Sequence, residues 1–266
     1  MKHDKVTLER SAGDVLEIHA IGRHVHVTEN GVETTIGCFD DSEAIATATD
    51  LIAARLASGW RESAATRARR DEATASAVRA AAYQALATAD DPARAFLAHV
   101  APLAAASAGA ATAFAALAAH VTAIDEADAG GFRVRLRGGG ALLWGAPEPV
   151  SDGPPGLLAV LAQAGHVWLY RDADELARND HALCFGAGVG PPEGDAEIAD
   201  TAFAGAPVRW FLEEAPHDRY WFVAGDGAAR CYEFDGGLHD EPHGEPIAEL
   251  LATLITAKLA DGPASE

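Results

Sequence analysis

The chain is poor in the residues that build disulfide scaffolds and metal clusters. Only three cysteines occur in 266 residues, Cys38, Cys184 and Cys231. They are odd in number, far apart and never in a C-x-x-C pair, which excludes a disulfide framework or a cysteine-based zinc cluster and suits a reducing, cytoplasmic compartment. Lysine is nearly absent, with Lys2, Lys5 and Lys258 alone, while alanine is abundant; this composition fits a GC-rich bacterial source. Long apolar runs are also missing. The stretch from Ala95 to Val121 is mostly alanine, interrupted by His99, Pro102, Ser107 and Thr112, and a membrane span needs about 20 strongly apolar residues. The opening residues Met1-Lys2-His3-Asp4-Lys5 meet charge at once, which predicts no signal peptide. No G-x-S-x-G elbow and no P-loop G-x-x-x-x-G-K-[ST] occurs.

What is present is negative charge. Forty Asp and Glu against twenty Lys and Arg give a formal charge of −20. Broad binding to nucleic acid or anionic membranes requires a basic face, so this balance suits basic partners or no charged partner at all.

The pattern of elements predicts an α+β chain: a small antiparallel sheet with one helix, an alanine-rich helical middle, then a second antiparallel sheet with a closing C-terminal helix. In the first segment, 1–62, the runs Val15 to His19, His24 to Thr28 and Val32 to Ile36 alternate. Asn30-Gly31 between the last two is a strong hairpin signal, because both residues tolerate positive φ. A helix is expected next, with Ser42 as its N-cap, Ile45, Ala48, Ile52 and Leu56 on one face, and Gly59 at its end. The middle segment, 63–129, predicts two to four helices, with a restart at Asp90-Asp91-Pro92 and a break near Pro102. Phe96, Leu97, Leu103, Phe114, Leu117, Val121 and Ile124 are its apolar anchors. The third segment, 130–266, predicts a hairpin from Phe132 to Arg137 and Ala141 to Trp144, and a short helix at Leu157 to Ala164. Strands follow at 165–170, 182–185, 208–212, 220–223 and 230–234. A last helix after Pro246 carries the stripe Ile247, Leu250, Leu251, Leu254, Ile255 and Leu259.

Two resemblances accompany this reading. Val15-Leu16-Glu17-Ile18, Gly22, Phe39-Asp40-Asp41-Ser42-Glu43-Ala44, Leu51-Ile52 through Leu56, and Gly59-Trp60-Arg61-Glu62 resemble a WGR domain over residues 6 to 62. The Trp-Gly-Arg tripeptide itself is absent, with His26-Val27-Thr28-Glu29-Asn30 in its place, and Leu16 replaces the usual aromatic. The resemblance implies a small sheet with one helix. In poly(ADP-ribose) polymerases such domains touch DNA, yet segment 1–62 holds six Lys and Arg against eleven Asp and Glu. The third segment is similar to the SUKH superfamily on Leu157 to Gly165, Val167-Trp168-Leu169-Tyr170, Asp174 to Asn179, Leu183-Cys184-Phe185-Gly186, Cys231 to Phe234 and Ile247 to Leu254. The stretch from Pro191 to Ala206 departs from that pattern. The resemblance implies a protein-binding module, and many bacterial members neutralise a cognate toxin.

The expectation is therefore a non-enzymatic protein-recognition molecule, such as an immunity protein that meets a basic toxin through charge steering, with no cofactor. The expected partner-binding surface is Asp226, Glu233, Asp235, Asp240 and Glu241. The alternative is a DNA-associated regulator using Arg61, Arg67, Arg69 and Arg70. A third class, a metal protein or enzyme, would use His239 and His243 in His239-Asp240-Glu241-Pro242-His243, which a solvated acidic loop explains more simply. His24 and His26, with His19 nearby, form a strand face open to metal or protons, or plain solvent. Arg133, Arg135 and Arg137 line another strand face; they can grip phosphate or carboxylate, or pair with the chain's own acids. Cys184 could act as a nucleophile only if His166 or His181 approached it. Gly186-Ala187-Gly188-Val189-Gly190 lacks the helix that a dinucleotide loop needs, because Pro191-Pro192 follows. The aromatics Trp168, Trp210, Phe211, Trp221 and Phe222 read mostly as core, with one or two free to serve as binding anchors.

Overall fold

The computed structural model describes residues 4–10, 13–148, 150, 153–186, 189, 208–215, 219–224, 227–233, 237–238 and 243–260. The chain is α+β and divides into two compact units, Met1–Ala77 and Val78–Glu266.

The first unit holds strands β1 (Val6–Glu9), β2 (Val15–Ile21), β3 (His24–Glu29), β4 (Val32–Gly37) and β5 (Arg61–Glu62), with helix α1 (Asp41–Ala57). The sheet is antiparallel in the order β4-β3-β2-β1-β5. The Asn30-Gly31 turn forms as its sequence requires, with φ of 52° and 84°. One sheet face supplies Leu8, Leu16, Ile18, Ala20 and Val25, which pack with Ala44 and Ala48 of α1 and with Trp60. The N-cap of α1 is Asp40 rather than Ser42: its carboxylate accepts the Glu43 N–H at 2.8 Å, while the Glu43 carboxylate accepts the Phe39 N–H. The first of these bonds satisfies one orphan donor of the helix and the second ties the preceding residue to its first turn, so Ser42 falls inside that turn. Gly59, at φ 91°, turns the chain after the Ser58 C-cap. Helix α2 (Ala64–Ala87) then begins in the first unit and ends in the second.

The second unit adds helices α3 (Pro92–His99), α4 (Ala101–Ala104) and α5 (Ala108–Ala118) and strands β6 (Val121–Asp128), β7 (Gly131–Leu136) and β8 (Ala141–Gly145). Helix α6 (Pro155–Leu161), strand β9 (His166–Tyr170), helix α7 (Ala173–Arg178) and strand β10 (Leu183–Gly186) follow. Strands β11 (Arg209–Glu214), β12 (Arg219–Val223), β13 (Ala229–Glu233) and β14 (Gly237–Leu238) and helix α8 (Ile247–Ala260) complete it. The nine strands form one antiparallel meander in the order β14-β13-β12-β11-β10-β9-β8-β7-β6.

Strand β6 occupies a stretch expected to be helical. Its core residues Val121, Ile124 and Ala127 are three apart because the register shifts between Val121 and Ala123 and again between Asp125 and Asp128. Those irregularities turn a strand period of two into a spacing that imitates a helix. The restart at Asp91-Pro92 does form, with the Asp91 carboxylate accepting the Arg94 N–H.

Helices α3 to α6 and α8 bury Phe96, Leu103, Phe114, Leu117, Val160 and Leu251 against one face of the sheet, where Phe132, Val134, Leu142, Trp144, Val167, Leu169, Leu183, Phe185 and Trp221 meet them. The alanine-rich helices thus share one core with the meander. Among the described residues, no helix is long and apolar enough to cross a membrane.

Candidate functional site

Alternation on the strands sends every second side chain to the other face of the meander. Cross-strand register lines these residues up in one row: Asp125 opposite Arg133, Arg133 opposite Leu143, Leu143 opposite Trp168, and Trp168 opposite Cys184. The row continues from Cys184 to Glu213, from Glu213 to Tyr220, and from Tyr220 to Tyr232. Eight adjacent strands contribute to it. Leu143, Trp168, Cys184, Glu213 and Tyr220 are half-buried, in contrast to the closed core on the helical face. At one end of the row Trp210, Phe222 and Tyr232 form a separate buried cluster against Tyr220 and Val208.

The centre of the row is Trp168. Its indole lies 5.3 Å from the His166 ring and 6.5 Å from the His181 ring, the latter nearly parallel at 22°. His166 rests on a glycine floor: a Cβ at Gly145 would fall 2.2 Å from His166 Cε1. Gly131 stands opposite Gly145 and Gly186 opposite His166, so one end of the face is a shallow trough of bare backbone with one imidazole in it. A slot of about 180 Å³ opens there, walled by Glu126, Asp128, Arg133 and His166.

Beside the trough, Asp125 joins two of the three stripe arginines. Arg133 Nε donates to Asp125 Oδ1 at 2.8 Å, Arg135 Nε donates to Asp125 Oδ2, and Arg133 Nη2 lies 2.8 Å from Glu126 Oε1. Burial works to raise the Asp125 carboxyl, but the two guanidinium bonds and charges outweigh it and hold it below the usual carboxylate range. The bond to Asp125, more than any other influence, holds the Arg133 guanidinium above its usual value. Arg137 is exposed in the turn after β7.

Both cysteines of this unit make poor nucleophiles. Burial first, then the Glu213 carboxylate, pushes the Cys184 thiol up to about 11, and burial with Glu214 pushes Cys231 up to about 12. A thiol in that range stays protonated at neutral pH.

A second polar cluster ties the last helix to the sheet. Lys258 Nζ lies 3.4 Å from Glu214 Oε2, with both side chains about 5% exposed. It also donates to the Ala215 carbonyl at 3.3 Å, and Trp221 Nε1 donates to Glu214 Oε1 at 2.7 Å. The His243 ring packs on Trp221 at 4.6 Å, and its Nδ1 is 3.4 Å from Glu245.

Of the acidic surface expected from the sequence, Glu233 sits on β13 and accepts from Arg219 Nε; Asp226, Asp235, Asp240 and Glu241 lie outside the described residues, as do His239 and most of 186–190. In the first unit Arg61, Arg67, Arg69 and Arg70 are all exposed. Arg69 Nη2 donates to the Lys5 carbonyl at 2.7 Å, and Arg70 pairs with Glu62 and lies 3.8 Å from Asp71. His19 stands opposite His26, with the His24 ring 6.4 Å from that of His26, and Glu33 and Thr35 face His26 Nδ1. Among the described residues, no group of three or more His, Cys, Asp or Glu side chains converges on a metal position.

Comparison with protein-family models, with curated proteins and with solved structures finds no match.

The row across the second face is what the sequence reading missed. The sequence placed the strands from β7 to β13 but read β6 as helical, and only the cross-strand pairing brings Arg133, Leu143, Trp168, Cys184 and Tyr220 into one line.

Proposed function

We propose that this chain is a non-enzymatic protein-recognition molecule whose binding surface is the second face of the meander, centred on Trp168. The observation that carries it is the half-buried row from Arg133 through Leu143 and Trp168 to Tyr220. Arginine and large aromatics are the residue types that anchor protein interfaces: the aromatics bury a large area with few rotatable bonds, and arginine presents a planar fork of donors. The partner is a basic protein. A chain of charge −20 attracts such a partner over distance, and Asp125, Glu126, Asp128 and Glu213 border the row. On this reading residues 1–62 are WGR-like in fold and residues 130–266 are a SUKH-like protein-binding module, and neutralisation of a basic toxin is one biological form it takes.

Two observations favour recognition over the other classes. Burial and neighbouring carboxylates hold both cysteines of the second unit as thiols. The arginines of the first unit are partly engaged by the chain's own groups, which weakens a grip on DNA.

The test is a pull-down from native lysate with the untagged chain, at low and then moderate salt, beside the Trp168→Ala variant. Recovery of one basic protein that salt releases and Trp168→Ala fails to hold supports the proposal. Recovery of nucleic acid, or of a protein held equally by the variant, contradicts it.

A further inference from the structure

We infer that the cavity between strand β7 and helix α7 is a binding site for a small organic acid, with the carboxylate held by Arg135 and a short aliphatic body against Ala141, Ala173 and Leu176. The cavity measures about 460 Å³ and is lined by Thr122, Arg133, Arg135, Leu136, Gly139, Gly140, Ala141, Ala173 and Leu176. Its volume falls within the about 300–1,000 Å³ typical of small-molecule sites, which are mostly apolar with a few placed polar groups. The cavity shares Arg133 with the proposed recognition row, but the inference does not rest on that proposal.

The two arginines play different parts. Arg133 is committed: its Nε goes to Asp125, its Nη2 to Glu126, and its side chain is 19% exposed. Arg135 is 57% exposed and binds Asp125 through Nε. Among the described residues its two terminal nitrogens carry no other bond. Asp125 therefore pins the guanidinium at its inner edge and leaves the outer fork free. That arrangement is pre-organised for a carboxylate, which matches the fork with two parallel bonds. The carboxylates that pin the arginines do not themselves line the cavity.

The remainder of the wall sets the ligand's size and character. Gly139, at φ 89°, turns the chain beside Ala173: a Cβ there would lie 3.8 Å from the Ala173 nitrogen and 4.0 Å from its Cβ. Gly140 has no such room. A Cβ there would fall 2.5 Å from the Arg171 carbonyl oxygen, so glycine is required for the β7–β8 turn to close on the start of α7. Ala141, paired with Arg135 across the strands, is buried and Leu176 is half-buried, giving an apolar wall for a branched chain of a few carbons, while the Leu136 side chain joins the core on the other face.

The experiment is a titration of the full chain with 4-methylpentanoate, followed by ligand-observed and amide NMR. Its neutral isostere 4-methylpentanamide and inorganic phosphate serve as comparisons. The acid is expected to bind with a Kd of about 1 mM, the order appropriate to eight heavy atoms. The amide and phosphate are expected to bind at least about tenfold more weakly, since one lacks the charge and the other the apolar body. Arg135→Gln should weaken the acid by about tenfold or more, and Ala173→Leu, which fills the cavity and leaves Arg135 in place, should abolish binding. Shifted amides should cluster at Arg135 to Ala141 and Ala173 to Leu176. No binding of the acid by the wild-type chain at about 10 mM, equal binding of acid and amide, equal binding of acid and phosphate, or an unchanged Kd in both variants would overturn the inference.

Discussion

Single residues in this protein carry effects that their neighbours explain. The His99 ring is enclosed by Tyr83, Phe132 and Trp144 at centroid distances of 5.8, 5.1 and 6.0 Å, and its Nε2 is buried without a hydrogen-bond partner. Burial therefore pushes its pKa below the ordinary value of 6.5. The unfolded chain binds the proton more readily, so the stability that neutral His99 supports is complete above about pH 6.5 and is lost as pH falls through and below that value. His99→Phe is expected to flatten the dependence of the thermal midpoint on pH between about 5 and 7, without loss of stability at neutral pH. An unchanged slope would show that another group dominates. The Lys258–Glu214 pair offers a second case. Lys258→Met leaves a buried carboxylate uncompensated and should cost about 3–5 kcal/mol in denaturant unfolding. Lys258→Met combined with Glu214→Gln removes both charges while keeping an acceptor for Trp221, and should recover most of that cost. Gly131 is a third. At φ 148° a Cβ would lie 2.3 Å from the Trp144 carbonyl oxygen, so Gly131→Ala must displace backbone and should cost about 2 kcal/mol or more in the same assay.

At the scale of elements, legibility depended on whether local chemistry or distant pairing set the structure. The Asn30-Gly31 hairpin, the Asp91-Pro92 helix start and the apolar stripe of α8 are decided within a few residues, and each formed where the sequence placed it. The N-cap of α1 moved by two residues because Asp40 and Ser42 are both good caps, and the Glu43 carboxylate closes the box around Asp40. Asp40→Ala should therefore cost about 1 kcal/mol in equilibrium unfolding, whereas Ser42→Ala should change stability by only a few tenths. Strand β6 was misread because its two irregularities space Val121, Ile124 and Ala127 by three, and Glu126 takes a positive φ of 48° to make the second. Apart from the hairpins that a local turn decides, sheet order and strand partners lie beyond any local signal, and for that reason the Trp168 row was invisible. The arginine stripe was legible as a stripe, but not that Asp125 on the neighbouring strand would hold two of its members and leave one fork free.

For the whole molecule, charge and architecture point the same way. An acidic chain carries a nine-stranded meander with helices α3 to α6 and α8 packed on one face and a line of arginine, leucine, tryptophan and tyrosine on the other. Under the proposed function, steering by net charge sets how quickly a basic partner arrives and makes the rate fall with salt, and the row sets how long it stays. These contributions separate experimentally, because removing Trp168 should raise the dissociation rate while leaving the salt dependence of association intact. The most direct measurement is the affinity of the protein recovered from native lysate for the wild-type chain and for Trp168→Ala, at matched salt, with thermal unfolding confirming that both are folded. The account predicts a loss of about tenfold or more, carried by faster dissociation. An affinity unchanged by the substitution would place the interface elsewhere and contradict the account.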